Sequence, residues 1–75
     1  MNLITIKGLA SGEIVRGFLN YATELEATAA MYYELWYATS DANTEGLICV
    51  IMKDDGEVVK REVYSKHTNA TEDGE

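Results

Sequence analysis

An α+β domain, with one helix packed on a small and mainly antiparallel sheet in the order β-α-β-β-β, is what this sequence predicts. Three features carry the prediction. Leu47-Ile48-Cys49-Val50-Ile51-Met52 is an apolar run long enough for a central strand covered on both faces. Asp54-Asp55-Gly56 is a turn signal that joins this run to a second strand. Between the amino-terminal strand and the central one, apolar residues recur at helical spacing after a serine able to cap them.

Taken in order, Leu3-Ile4-Thr5-Ile6-Lys7 is short, rich in β-branched residues and ends at Gly8, so it reads as a first strand, with an outer place in the sheet favoured and its order left open. Ser11 can accept from the free amides of a following helix, and Glu13 would lie in the first turn, where the helix dipole favours negative charge. Ile14, Val15, Phe18, Leu19, Ala22 and Leu25 then form an apolar stripe, so the helix is expected over residues 12–26, with Gly17 costing it about 1 kcal/mol relative to Ala. Residues 57–64 close the sheet. A three-residue loop would set Lys53 opposite Glu57, and Val59, Arg61 and Val63 would share the face of a charged edge. No internal repeat stands out.

Residues 27–39 fit two periods. As a strand they place Met31, Tyr33, Leu35 and Tyr37 on one side and Tyr32, Glu34 and Trp36 on the other. As a continued helix they extend the stripe through Ala29, Tyr32 and Trp36, which gives the alternative order β-long helix-β-β. A helix reaching Thr39 would be more than twice the usual length of about 11 to 12 residues, which favours the strand.

At 75 residues the chain allows one domain, expected over residues 1–64 with a flexible acidic tail over 65–75. So short a chain buries only about 60% of the surface its unfolded form exposes, so its core is small. Cys49, the one cysteine, cannot pair within the chain and reads as a small buried hydrophobe, which fits a reducing cytoplasm. No run approaches the roughly 18 apolar residues of a membrane helix, and the first residues lack the order of a signal peptide, so a cytoplasmic protein without membrane contact is expected.

Charge and aromatic residues are interleaved. Residues 8–57 hold nine acids against Arg16 and Lys53, a net charge of −7 equal to that of the whole chain, and all the aromatic residues except Tyr64. Fixed negative charge beside Tyr and Trp suits a basic protein partner and repels nucleic acid phosphates. In the strand reading Tyr32 and Trp36 flank Glu34 on an uncovered face, so Tyr32, Glu34 and Trp36, supported by Glu24, Glu26, Asp41, Glu45, Asp54 and Asp55, are the expected partner-binding residues. The bland alternative is that the aromatic rings only fill the core of a small domain.

Other motifs carry less chemistry. Asp41-Ala42-Asn43-Thr44-Glu45-Gly46 has the oxygen spacing of the first half of an EF-hand calcium loop, but Met52 stands where a bidentate Glu is needed, so a polar turn is expected. Asp54, Asp55 and Glu57 lie at a hairpin tip, whereas acid-base catalysis needs carboxylates in distinct, water-poor settings. His67, the sole histidine, falls in the tail and cannot assemble a nucleophile or metal site alone. Asn69-Ala70-Thr71 matches the glycosylation pattern, which has no meaning without export. No catalytic set, metal site or cofactor is expected.

The leading expectation is therefore a non-enzymatic acidic protein-binding module, an inhibitor that occupies a basic, nucleic-acid-binding surface of a partner protein. In size and charge alone it is similar to viral proteins that mimic nucleic acid to antagonise a host nuclease or defence complex. The alternative is a small homo-oligomeric structural or assembly protein, a homodimer burying Tyr32 and Trp36 against a second copy. An enzyme is the weakest reading.

Overall fold

The amino-terminal residues form a hairpin. Strand β1 (Asn2–Leu9) turns through Ala10, Ser11 and Gly12 and returns as β2 (Ile14–Asn20). Helix α1 (Glu24–Ser40) follows, and a second hairpin of β3 (Thr44–Met52) and β4 (Val58–Ser65) completes the fold. The sheet is antiparallel throughout, in the order β2-β1-β3-β4. The computed structural model describes residues 1–66 of the chain. It has the expected α+β class of one helix on a small antiparallel sheet.

The helix falls between two hairpins, one element later than β-α-β-β-β expects, and β1 is central instead of outer. Residues 14–20, assigned from their spacing to a helix, are a strand, because Gly12 takes a φ of 94° and closes a tight turn where the helix would begin. The Leu9 N–H donates to the Glu13 carbonyl at 2.9 Å and the Gly12 N–H to the Leu9 carbonyl at 2.9 Å. Ile14 and Val15 are β-branched, and Gly17 lies against Thr5, whose Oγ1 would be 2.6 Å from a Cβ there. Helix α1 starts instead at a signal the apolar stripe obscured. Thr23 is the N-cap, its Oγ1 accepting from the Glu26 N–H at 3.2 Å in a Thr-x-x-Glu frame, with Glu24 and Glu26 in the first turn.

The two hairpins repeat one another. Leu3-Ile4-Thr5-Ile6 and Gly12-Glu13-Ile14-Val15-Arg16 in the first correspond to Leu47-Ile48-Cys49-Val50 and Gly56-Glu57-Val58-Val59-Lys60 in the second. Their loops have the same geometry: the Lys53 N–H donates to the Glu57 carbonyl at 2.8 Å, the Gly56 N–H to the Lys53 carbonyl at 2.9 Å, and Gly56 has a φ of 97°. The three-residue loop and the Lys53–Glu57 pair, 3.5 Å apart, are as expected. Thr5 and Cys49 are equivalent positions and face each other in the β1–β3 ladder, so a local two-fold axis passes between them. A shift of register between Ile51 and Met52 sets the second hairpin apart from the first. It turns Val59 onto the core, away from the face of Arg61 and Val63 on which the sequence placed it.

Leu3, Ala27, Met31, Ala38, Leu47, Cys49 and Ile51 form the core, with Leu35, Val59 and Tyr64 packed around it. Helix α1 lies mainly over β3, and small residues on its inner side allow the close approach. The other face of the sheet carries Ile4, Ile6, Ile48 and Val50 at its centre, with Phe18 and Val63 beside them, and no described element covers it. Ser65 ends β4, and the Lys66 Nζ donates to the Ala42 carbonyl at 3.1 Å, so these two residues belong to the fold rather than to the tail. The rest of the expected tail, with His67 and Asn69-Ala70-Thr71, lies outside the described residues. No helix among the described residues is long and apolar enough to cross a membrane.

Burial pushes the Cys49 thiol up to about 11, reinforced by the nearby negative charges of Glu34 and Glu62. The folded chain therefore favours the protonated thiol, a contribution present in full below about pH 9 and lost as pH rises through about 11. Cys49 in the native protein is expected to resist alkylation at about pH 8 and to react promptly in denaturant. Rapid stoichiometric labelling without denaturant would contradict its burial.

Candidate functional site

Residues 27–39 lie within the helix, and this changes what they present. Ala27, Met31 and Ala38 recur at helical spacing and face the sheet, which turns Leu25, Ala29, Tyr32 and Trp36 outward along the opposite side. Leu25 is 80% exposed and Trp36 62%. Tyr33, assigned by the strand reading to the core, is 59% exposed, and Tyr37 is exposed as well. Extension of the helix does not carry Tyr32 and Trp36 into the core, as the long-helix reading expects. The sheet accepts the small Ala and Met side, and the bulky side faces solvent.

The rings have fixed neighbours. Tyr33 and Trp36 lie three positions apart, with centroids separated by 6.0 Å and planes tilted by 36°. The Lys7 Nζ, reaching up from β1, sits 5.3 Å from the centroid of Tyr37. Tyr33, Trp36 and Tyr37 line an open, shallow groove of about 450 Å³ that continues over Ser40, Asp41 and Ala42 at the end of the helix. Thr39 and Ser40 both donate through their hydroxyls to the Trp36 carbonyl, at 2.8 and 3.2 Å, and tighten the last turn under the groove.

The structure distributes the expected acidic residues unequally. Glu24 and Glu26 are exposed in the first turn of α1, and Asp54 and Asp55 are exposed at the β3–β4 tip. These four share one end of the sheet, where Asn20, Asn2 and Met52 pair in a row and the Asn2 Nδ2 donates to Asp54 Oδ1 at 2.9 Å. Glu34 is not beside Tyr32 and Trp36 on one face. Its spacing from Met31 and Ala38 sets it on the inner side of the helix, half-buried, where its charge raises the Cys49 thiol. Asp41 borders the aromatic groove, but Glu45 lies on β3 and pairs with Lys66 at 3.8 Å.

Asp41 closes the turn into β3. Its Oδ1 accepts from the Asn43 N–H at 3.0 Å and its Oδ2 from the Thr44 hydroxyl at 2.9 Å, and both bonds hold its carboxyl below the usual aspartate value. The carboxylate of Asp41, the first of the residues aligned in sequence with a calcium loop, thus acts within its own turn, and Glu45 is already part of β3. At the other tip Asp55 Oδ1 accepts from the Glu57 N–H at 2.9 Å, which makes it a turn residue as well.

Leu25, Tyr33 and Tyr37 are surface residues outside the expected partner-binding set. Their signal was the spacing Leu25, Ala29, Tyr32, Trp36 together with the aliphatic residues Ala27, Ala30, Met31 and Ala38 on the other side, which is informative only once the helix is known to lie against a sheet. What the arrangement can do is bind: it offers an aromatic strip and groove with carboxylates at both ends, Glu24 and Glu26 at one and Asp41 at the other. Comparison with known protein families, with curated proteins and with solved structures finds no match to this chain.

Proposed function

We propose that this chain is a non-enzymatic protein-binding module whose docking surface is the outer face of α1, and that its partner presents a basic surface with an apolar centre. The observation that carries the reading is the exposure of Tyr32, Tyr33, Trp36 and Tyr37 with Leu25 on one helix. Exposing large rings costs a small domain part of the burial that stabilises it, and Tyr and Trp are the residue types that dominate binding hot spots. The net charge of −7 supplies the complementary half of the argument: it steers a cationic partner and disfavours nucleic acid. A protein with a basic nucleic-acid-binding surface, such as a host nuclease or defence complex that this chain would block, is the partner class this chemistry fits best.

The test is capture from the native host with the wild-type chain and with Trp36→Ala in parallel, followed by association kinetics on the purified partner. A specific partner should be retained by the wild type and lost by the variant. Its association rate should fall at least ten-fold between about 0.05 and 0.5 M salt, as the Debye length drops well below 10 Å. A rate indifferent to salt would remove the basic surface from the proposal, and equal capture by both chains would remove the helix face.

A further inference from the structure

We infer that two copies of this chain associate through the outer edge of β2 and continue their sheets into one of eight strands, about a two-fold axis at Gly17. β2 is the least protected element of the fold. Among the described residues only β1 pairs with it, and α1 lies over β3, so apolar side chains are exposed on both of its faces. Phe18 is 65% exposed on the uncovered side of the sheet and Leu19 58% on the helix side, with Ile14 and Val15 exposed beside them. The opposite edge differs. β4 carries a register shift and the charged run Lys60-Arg61-Glu62, and packs Val59 and Tyr64 on the core. Those are the devices that keep an edge from pairing, and β2 has only Arg16.

The hydrogen-bond pattern decides which groups β2 offers. Met1 and Tyr21 exchange both backbone bonds, at 2.7 and 2.9 Å, and the Leu9 N–H donates to the Glu13 carbonyl at 2.9 Å. Between these two ends the antiparallel ladder alternates, so Ile14, Arg16, Phe18 and Asn20 direct their N–H and C=O groups away from β1. One register of two antiparallel copies satisfies all four residues: Ile14 faces Asn20 of the second copy and Arg16 faces Phe18. A shift in one direction opposes Arg16 to Arg16 and leaves Asn20 unpaired. A shift in the other opposes Phe18 to Phe18 and leaves Ile14 unpaired.

In the favoured register each guanidinium lies beside an aromatic ring, Val15 meets Leu19 on the helix side, and the two Gly17 residues cross at the axis. Charge permits the contact, because residues 1–20 hold Lys7 and Arg16 against the single acid Glu13 while the acidic excess lies elsewhere. The interface is isologous and closes at two copies. Opposed residues of an antiparallel pair share a face, so both helices lie on the same side of the joined sheet, and their aromatic strips remain free as a bivalent surface.

Sedimentation equilibrium of the full chain from about 1 to 500 µM tests this, a range suited to the weak affinity of interfaces below about 1,200 Å². The mass is expected to rise from 8.3 kDa toward twice that value. Phe18→Lys, at an exposed position, should retain the far-UV circular dichroism of the wild type and weaken dimerisation at least ten-fold, because it sets like charges against each other twice. Adding Arg16→Glu to the same chain should restore the dimer, since each new carboxylate then faces a new ammonium group. A wild-type monomer over the whole range overturns the inference. So does a dimer indifferent to Phe18→Lys, a double variant that stays monomeric, or a dimer broken by Trp36→Ala instead.

Discussion

Met31→Ala is expected to destabilise the protein by about 2–5 kcal/mol, against a total stability of about 4–11 kcal/mol for a chain of this length. Met31 is fully buried where α1 meets the sheet, among Leu3, Leu47 and Ile51, and its truncation leaves a cavity that the backbone of a helix seated on a sheet cannot collapse to fill. Tyr33→Ala should cost less than about 1 kcal/mol, because its ring packs on Trp36 in solvent. Urea denaturation of the two variants separates the alternatives cleanly. A strand through residues 27–39 places Met31 and Tyr33 on the same buried side and requires large losses from both. Only the helix, with Met31 inward and Tyr33 outward, requires the split.

Trp36→Ala is expected to weaken partner binding by about 2 kcal/mol or more, about 30-fold in Kd, while changing folding stability by less than about 1 kcal/mol. The indole is the largest ring of the exposed strip and borders the groove with Tyr33, Tyr37 and Asp41. Tyr33→Ala should also weaken binding, and the double variant should lose less than the sum of the two, because each ring positions the other across their tilted contact. Isothermal titration of the purified partner measures all three. An affinity unchanged by Trp36→Ala would move the docking surface off α1, and the uncovered face of the sheet around Ile4, Ile6, Ile48 and Val50 would be the next surface to test.

These outcomes depend on a side-chain facing that sequence patterns left open. The strand pattern exposes Tyr32 and Trp36 together with Glu34. They are exposed on a helix, with Tyr33 and Tyr37 alongside and Glu34 turned inward. Periodicity alone favours burying the side of a helix richest in aromatic carbon. Here the inner side is Ala27, Ala30, Met31 and Ala38 with Leu35 and Glu34 at its margins, so the aliphatic side packs on the sheet and the aromatic rings face solvent.

Sequence alone determined the elements whose signals are local. The apolar run of β3 reads as a central strand, although only one of its faces is covered by a described element and Ile48 on the other is exposed, Asp54-Asp55-Gly56 admits a tight turn because Gly56 can take a positive φ, and the pairing of Lys53 with Glu57 follows from the loop length. The acidic excess and the class of one helix on an antiparallel sheet were legible for the same reason. Tertiary structure decided residues 14–20 and the facing of α1. Ile14, Val15, Phe18 and Leu19 satisfy a helical stripe and a strand about equally, and the choice falls to pairing with β1, where the backbone of β2 finds its hydrogen-bond partners and Gly17 fits against Thr5. That pairing moves the helix start to Thr23, and β3, by accepting only the small side of α1, sets its aromatic residues in solvent.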